Sequence, residues 1–186
     1  NVFPVPDGDT GTNMYQTLLG MQNRVSSETP KNISEYCDLL ANAALYEGRG
    51  NSGVILSQIY RGIAEGVSES YSKDFDILLN AFSNARDLAY NSVVNPVEGT
   101  MLTVLTDLVE ALRSQEEQDI SICEAMKLLT NVAQLSVDKT PEKLQVLRDG
   151  GVVDSGGYGL EIILRGLILK FVDSNPTQEP LYERYP

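Results

Sequence analysis

The sequence predicts an all-α protein, an antiparallel up-and-down bundle or closed helical barrel of about seven to eight helices. Three observations point there. Apolar residues recur at steps of three and four, two-residue alternation over a strand length is scarce, and glycine and proline clusters cut the apolar runs into helix-sized pieces. Short loops between consecutive helices favour antiparallel neighbours, so alternate loops are expected to gather at one end.

The elements follow in order. After the opening loop NVFPVPDGDTGTNM, Met14, Leu18, Leu19 and Met21 start a helix that ends in SSETPKN, where Pro30 cannot continue it. A second helix after Ser34 carries Tyr36, Leu39, Leu40, Ala43 and Ala44 on one side and stops at the glycines of YEGRGNSG. A third begins near Ser52, with Ile55, Ile59, Ile63 and Val67 as its apolar face. The same spacing predicts helices over 74–92, 99–113, 119–137, 141–149 and 156–172. Residues 1–173 are read as one domain, and the proline-bearing stretch 174–186 (SNPTQEPLYERYP) as a linker or docking tail.

Composition removes several function classes. The chain has 186 residues, 42% of them hydrophobic, and a formal net charge of -12, which argues against a nonspecific nucleic-acid or anionic-membrane surface. An anionic ligand would need local help, from backbone N–H groups at helix starts or from divalent cations held by carboxylates. There is no histidine, so imidazole bases and the usual zinc-hydrolase ligand sets are excluded. Cys37 and Cys123 are read as buried reduced thiols of a cytoplasmic protein. No run approaches the roughly 20 apolar residues of a membrane span.

Four glycine-bearing stretches fall at predicted helix starts: DGDTGTN before the first helix, GRGNSG before the third, PVEGTM before the fifth and VVDSGGYG before the last. In an up-and-down arrangement these loops are expected to share one rim. In the first, Gly8 separates Asp7 from Asp9, which lets both carboxylates turn to one hard cation; on these residues alone a capped turn and a metal site both stay open. A calcium EF-hand fits poorly, because Thr12 stands where its turn glycine is needed and Leu18 where its bidentate glutamate is needed. Magnesium, with fewer protein ligands, fits better.

Gly48, Gly50 and Gly53 match G-x-G-x-x-G, but the preceding CDLLANAALYE is helix-forming, so a Rossmann reading fails. The glycines and Ser52 at a helix start still suit an anion cradle, with close helix packing as the alternative. Gly99 with Thr100, and Asp154, Ser155, Gly156 and Gly157, repeat the pattern of a small residue and a capping side chain at a helix N-terminus. No Walker A sequence is present. Tyr71 with Phe75, and Tyr158 with Ile162, are read as packing.

NVFPVPDGDTGTNM, GRGNSGVILSQIYRG, NPVEGTMLTV and GGVVDSGGYGL together resemble the DhaL-like nucleotide-binding domain shared by dihydroxyacetone kinases and the amino-terminal domain of bacterial fatty acid kinase. The form is closer to the fatty acid kinase branch, because Thr10 stands where the dihydroxyacetone kinases carry histidine. The resemblance implies a helical barrel binding ATP or ADP with two magnesium ions, held by Asp7 and Asp9 as the catalytic and metal-holding residues. Asn1 is the counterpart of a third metal ligand. The resemblance places Thr10, Gly11, Thr12, Asn13, Asn51, Ser52, Gly53, Gly99, Thr100, Met101, Arg148, Asp154, Ser155 and Gly156 around the nucleotide.

It further implies a first family helix ahead of Asn1 and additional domains in the same polypeptide, through which a homodimer would form. The expected function is phosphoryl transfer from ATP to a fatty acid carboxylate presented by a fatty-acid-binding partner, with this domain alone binding nucleotide but poorly active. The alternatives are dihydroxyacetone-kinase-type transfer to a small polyol, a metal-dependent phosphatase and a non-catalytic adaptor. Metal-led phosphoryl transfer needs no histidine, since positioning and charge neutralisation do most of the work.

Overall fold

A computed structural model describes residues 3, 8–68, 73–118 and 120–172, with side chains of the last helix described through 168. Among the described residues there are eight helices and no strand. They are α1 (Thr10–Val25), α2 (Ile33–Glu47), α3 (Gly50–Ser68), α4 (Asp74–Asn91), α5 (Met101–Arg113), α6 (Ile122–Lys143), α7 (Gln145–Gly150) and α8 (Ser155–Val172). The all-α expectation holds. Contacts divide the chain into two compact units that part between Val97 and Glu98, within the segment containing Pro96 and Gly99. The first unit holds α1 to α4 and the second α5 to α8. The 174–186 tail lies outside the described residues.

In the first unit, α1 turns Met14, Thr17 and Met21 inward at steps of three and four. Met21 packs on Ala43 and Ala44 of α2, with Leu18, Val25, Leu40 and Tyr60 around them. The start of α2 is fixed by Asn32, whose side chain accepts the Glu35 amide at 2.8 Å, while Glu35 accepts the Lys31 amide at 2.7 Å. The deepest face of α3 is Ser52, Gly53, Leu56, Ile59, Gly62 and Gly66, so of the expected isoleucine stripe Ile59 is fully buried while Ile55, Ile63 and Val67 are only half-buried. The reason is close approach. A Cβ on Gly62 would meet the backbone of Ala85, and one on Gly66 the backbone of Ala81, so α3 and α4 touch through small residues one turn apart.

In the second unit α5 is buried on nearly every side, with Val104, Leu105, Leu108, Val109 and Leu112 all inaccessible to solvent. It packs on α6 and α8. The α6 face toward the core repeats at the helical period as Ala125, Leu129, Ala133, Ser136, Val137 and Thr140. Its first turn is a capping box, in which Ser121 Oγ accepts the Glu124 amide and Glu124 accepts the Ser121 amide at 2.8 Å. That box starts the helix at Ile122, later than the expected 119.

The expected break between 137 and 141 does not occur: α6 runs through Pro141 to Lys143. Proline has no N–H for the carbonyl four residues back, which is that of Val137. The Thr140 hydroxyl donates to that carbonyl instead, at 2.7 Å. No helix among the described residues is long and apolar enough to cross a membrane.

The glycines separate into two kinds that substitution will tell apart. Gly62→Ala is expected to lower unfolding stability by about 1–3 kcal/mol, because the obstacle is backbone that cannot rotate away. Gly166→Ala, on an exposed stretch of α8 with nothing near its Cβ position, is expected to raise it by about 0.4–1 kcal/mol. Urea unfolding midpoints of the two variants check both signs.

Candidate functional site

The first unit brings two of the four glycine-bearing stretches into contact. Gly8 adopts the left-handed region (φ 69°), turning the chain into α1, and Asp9 takes the N-cap position. Its carboxylate does not cap the helix by a side-chain bond; Oδ2 accepts from Asn13 Nδ2 at 2.8 Å, one turn on. Gly50 is also left-handed (φ 57°), and a Cβ there would strike the Asn13 carboxamide. Ser52 Oγ donates to the Thr10 carbonyl at 3.4 Å. A Cβ on Gly53 would strike the Thr17 hydroxyl, so this glycine serves the close packing of α3 on α1.

Asp9, Thr10 and Asn13 thus stand beside Gly50, Ser52 and Gly53, with Gly11, Thr12 and Asn51 exposed along the same two helix starts. Two helix N-termini meeting in this way bring first-turn amides and the positive ends of two dipoles together, the elements of an anion site. Asp7 and Asn1, the other metal candidates, lie outside the described residues. Among the described residues no three acidic or thiol side chains converge on a metal position. The Asp9 carboxylate, in a chain without histidine, is an oxygen ligand of the kind a hard cation such as magnesium takes.

The second unit carries the other two stretches. Thr100 caps α5, its hydroxyl accepting the Leu102 amide at 3.4 Å. Gly99 (φ 79°) lies against the Thr140 carbonyl and Leu144, where a Cβ would not fit. Asp154 precedes α8 and is 5% exposed. Its Oδ2 accepts the Gly157 amide at 2.7 Å, and the carboxylate also receives the amides of Met101 and Gly156. Asp154 therefore joins the starts of α5 and α8, filling with an internal carboxylate the amides that an external anion would otherwise use. Gly156 lies under the Met101 side chain, and Ser155 is half-buried beside it.

Arg148 is exposed, yet its bonds go inward along the chain. Nε donates to the Pro141 carbonyl at 3.1 Å, Nη2 to the Glu142 carbonyl at 2.6 Å, and Nη1 to Gln145 Oε1 at 3.1 Å. The first two are backbone carbonyls at the C-terminal end of α6, where a cation also suits the dipole. Cys37 is buried and Cys123 exposed, so only the first thiol matches the expectation of burial; the capping box at Ser121 turns Cys123 outward in the first turn of α6.

The family model for the DAK2 domain matches residues 4–169. An uncharacterized protein of Staphylococcus epidermidis is 40% identical over 168 residues, covering 90% of this chain and 30% of that protein. An uncharacterized protein of Staphylococcus aureus strain USA300 is 39% identical over 168 residues, covering 90% of this chain and 31% of its own length. A Staphylococcus aureus protein of strain NCTC 8325 matches to the same extent. The chain spans about a third of the length of the curated relatives it matches.

Burial pushes the Asp154 carboxyl up to about 6, against the opposing pull of the three amides that stabilise its charged form. Between pH about 4 and 6 the folded chain then holds this proton more tightly than the unfolded one, so the stability tied to Asp154 falls as pH rises through that window and is level above it. Relative to Asp154→Asn, which cannot ionise, the wild type is expected to gain up to about 3 kcal/mol on going from pH 7.5 to pH 4. Denaturant unfolding of both proteins at the two pH values reads the difference.

Proposed function

The chain belongs to the DAK2-domain (DhaL-like) family, a family of kinase-related nucleotide-binding domains, and from that membership we propose that it is the ATP- and magnesium-binding domain of an acyl kinase. The phosphoryl acceptor in this reading is a fatty acid carboxylate brought by a separate fatty-acid-binding protein, and the product is an acyl phosphate. The observation that carries the reading is the contact of the Asp9–Asn13 segment with Gly50–Gly53, which sets a carboxylate among amides and hydroxyls at two helix starts.

Each group has a part. The α1 and α3 amides, with Thr10, Thr12, Asn51 and Ser52, hold phosphate oxygens, and Asn13 fixes the Asp9 carboxylate. Asp9, with Asp7 and Asn1 of the same loop, would hold magnesium, which when bound neutralises charge on the phosphate oxygens. Gly99 to Met101 and Ser155 to Gly156 of the second unit are nucleotide candidates by the family resemblance. Asp154 and Arg148 support those loops through backbone bonds rather than by touching nucleotide. Thr10 in place of the histidine typical of dihydroxyacetone kinases supports a carboxylate acceptor over a small polyol. The acyl group comes from the partner, so the domain alone is expected to bind nucleotide and transfer poorly.

Calorimetry with Mg-ADP tests the reading. Asp9→Ala is expected to weaken binding at least about tenfold while circular dichroism keeps the helical signal, since even outer support of a metal ligand is worth that much. Equal affinity in the two proteins would remove Asp9 from the metal role. A wild type that binds no nucleotide in magnesium would remove the kinase reading and leave the adaptor.

A further inference from the structure

Three of the glycine-bearing loops share a device that their composition does not show. Each directs one backbone amide into a threonine hydroxyl that is almost wholly buried. The Arg49 amide, at the turn into α3, donates to Thr17 Oγ1 of α1 at 3.0 Å. The Gly99 amide, before α5, donates to Thr103 Oγ1 at 2.8 Å. The Asp154 amide, before α8, donates to Thr140 Oγ1 of α6 at 3.0 Å. Thr17 and Thr140 are 0% exposed and Thr103 is 1% exposed.

In every case the hydroxyl proton is committed elsewhere. Thr17 donates to the Asn13 carbonyl at 2.7 Å, Thr103 to Glu98 Oε2 at 2.7 Å, and Thr140 to the Val137 carbonyl at 2.7 Å. The proton being spent, the oxygen can only accept from the loop, which fixes the direction of each bond. The branched Cβ limits the side chain to few rotamers, so the oxygen is held in place before the loop arrives. Neighbouring glycines complete the fit, because a Cβ on Gly53 would displace the Thr17 hydroxyl and one on Gly99 would meet the Thr140 carbonyl.

We propose that Thr17, Thr103 and Thr140 are positioning residues for the nucleotide loops, each fixing by its hydroxyl the backbone of Arg49–Gly53, Gly99–Met101 or Asp154–Gly156. The inference rests on the nucleotide-binding reading above and adds residues that do not touch nucleotide. Helix packing alone would ask only for side chains of this size, and valine would serve it equally. The hydroxyl is what the loops require.

The test joins amide exchange with binding. In the wild-type chain, exchange followed by NMR should show the Arg49, Gly99 and Asp154 amides slowed at least about tenfold relative to an unstructured chain. Thr17→Val should lose that protection at Arg49, keep it in α4, and weaken Mg-ADP binding about tenfold, as expected for a loop amide left without its fixed acceptor. Thr17→Ser, which restores the hydroxyl, should bind within about twofold of wild type.

Thr140→Val and Thr140→Ser repeat the comparison at Asp154 in the second unit and decide the matter if Thr17→Val fails to fold. Unprotected amides in the wild type, or valine variants that bind as the wild type does while Asp9→Ala does not, would overturn the inference and leave the nucleotide reading standing. Serine variants as weak as valine variants would also overturn it. A wild type that binds no Mg-ADP would instead sink the nucleotide reading itself.

Discussion

A buried loop amide has no helical ladder to bond with, and meeting that need is the constraint on which most of this structure depends. Leaving one such group unpaired costs about 1–3 kcal/mol, comparable to a large core mutation. Glycine lets the loops turn tightly and approach neighbouring helices, but it brings bare backbone into the interior. The chain answers with fixed acceptors: threonine hydroxyls for Arg49, Gly99 and Asp154, and the Asp154 carboxylate for the amides of Met101, Gly156 and Gly157. Loop conformation is thereby tied to helix interiors. A loop so tied keeps its shape without a ligand, which is what a preorganised anion site requires.

The same constraint explains what could be read from the sequence. Helix number and the starts of α3, α5 and α8 follow from spacing and glycine clusters, because those signals are local. The gap expected between 137 and 141 is helical because the cost of Pro141 is met by one hydroxyl at Thr140, a compensation that spacing does not show. The buried face of α3 misled because Gly62 and Gly66, chosen for closeness to Ala85 and Ala81, carry no hydrophobic signal. Ser121 and Glu124 did carry a readable one, the S-x-x-E capping pattern that opens α6.

The site was legible as composition and illegible as wiring. Asp9, Asn13, Gly50 and Ser52 could be singled out by residue type, and they do adjoin one another in the first unit. Thr17, Thr103 and Thr140 look like ordinary polar positions in helices, and only burial together with the loop amide identifies them. Asp154 reads as a capping side chain from VVDSGG, and its burial and backbone partners show that the cap also ties the start of α5 to that of α8. Arg148, placed near the nucleotide by the family resemblance, is bonded to the carbonyls that end α6, which residue type alone does not show.

These placements also reconcile an acidic chain with an anionic ligand. A net charge of -12 repels polyphosphate at long range, but ionic screening confines that repulsion to about 8–10 Å near physiological salt. Within that distance the local groups decide, and at the α1 and α3 starts the Asp9 carboxylate stands among amides and hydroxyls whose polarity does not change with pH. A histidine-based cradle would lose its charge near neutrality. Backbone amides keep their polarity, so a histidine-free site gives up imidazole chemistry and retains a steady field, an exchange suited to phosphoryl transfer, where positioning and charge neutralisation do most of the work.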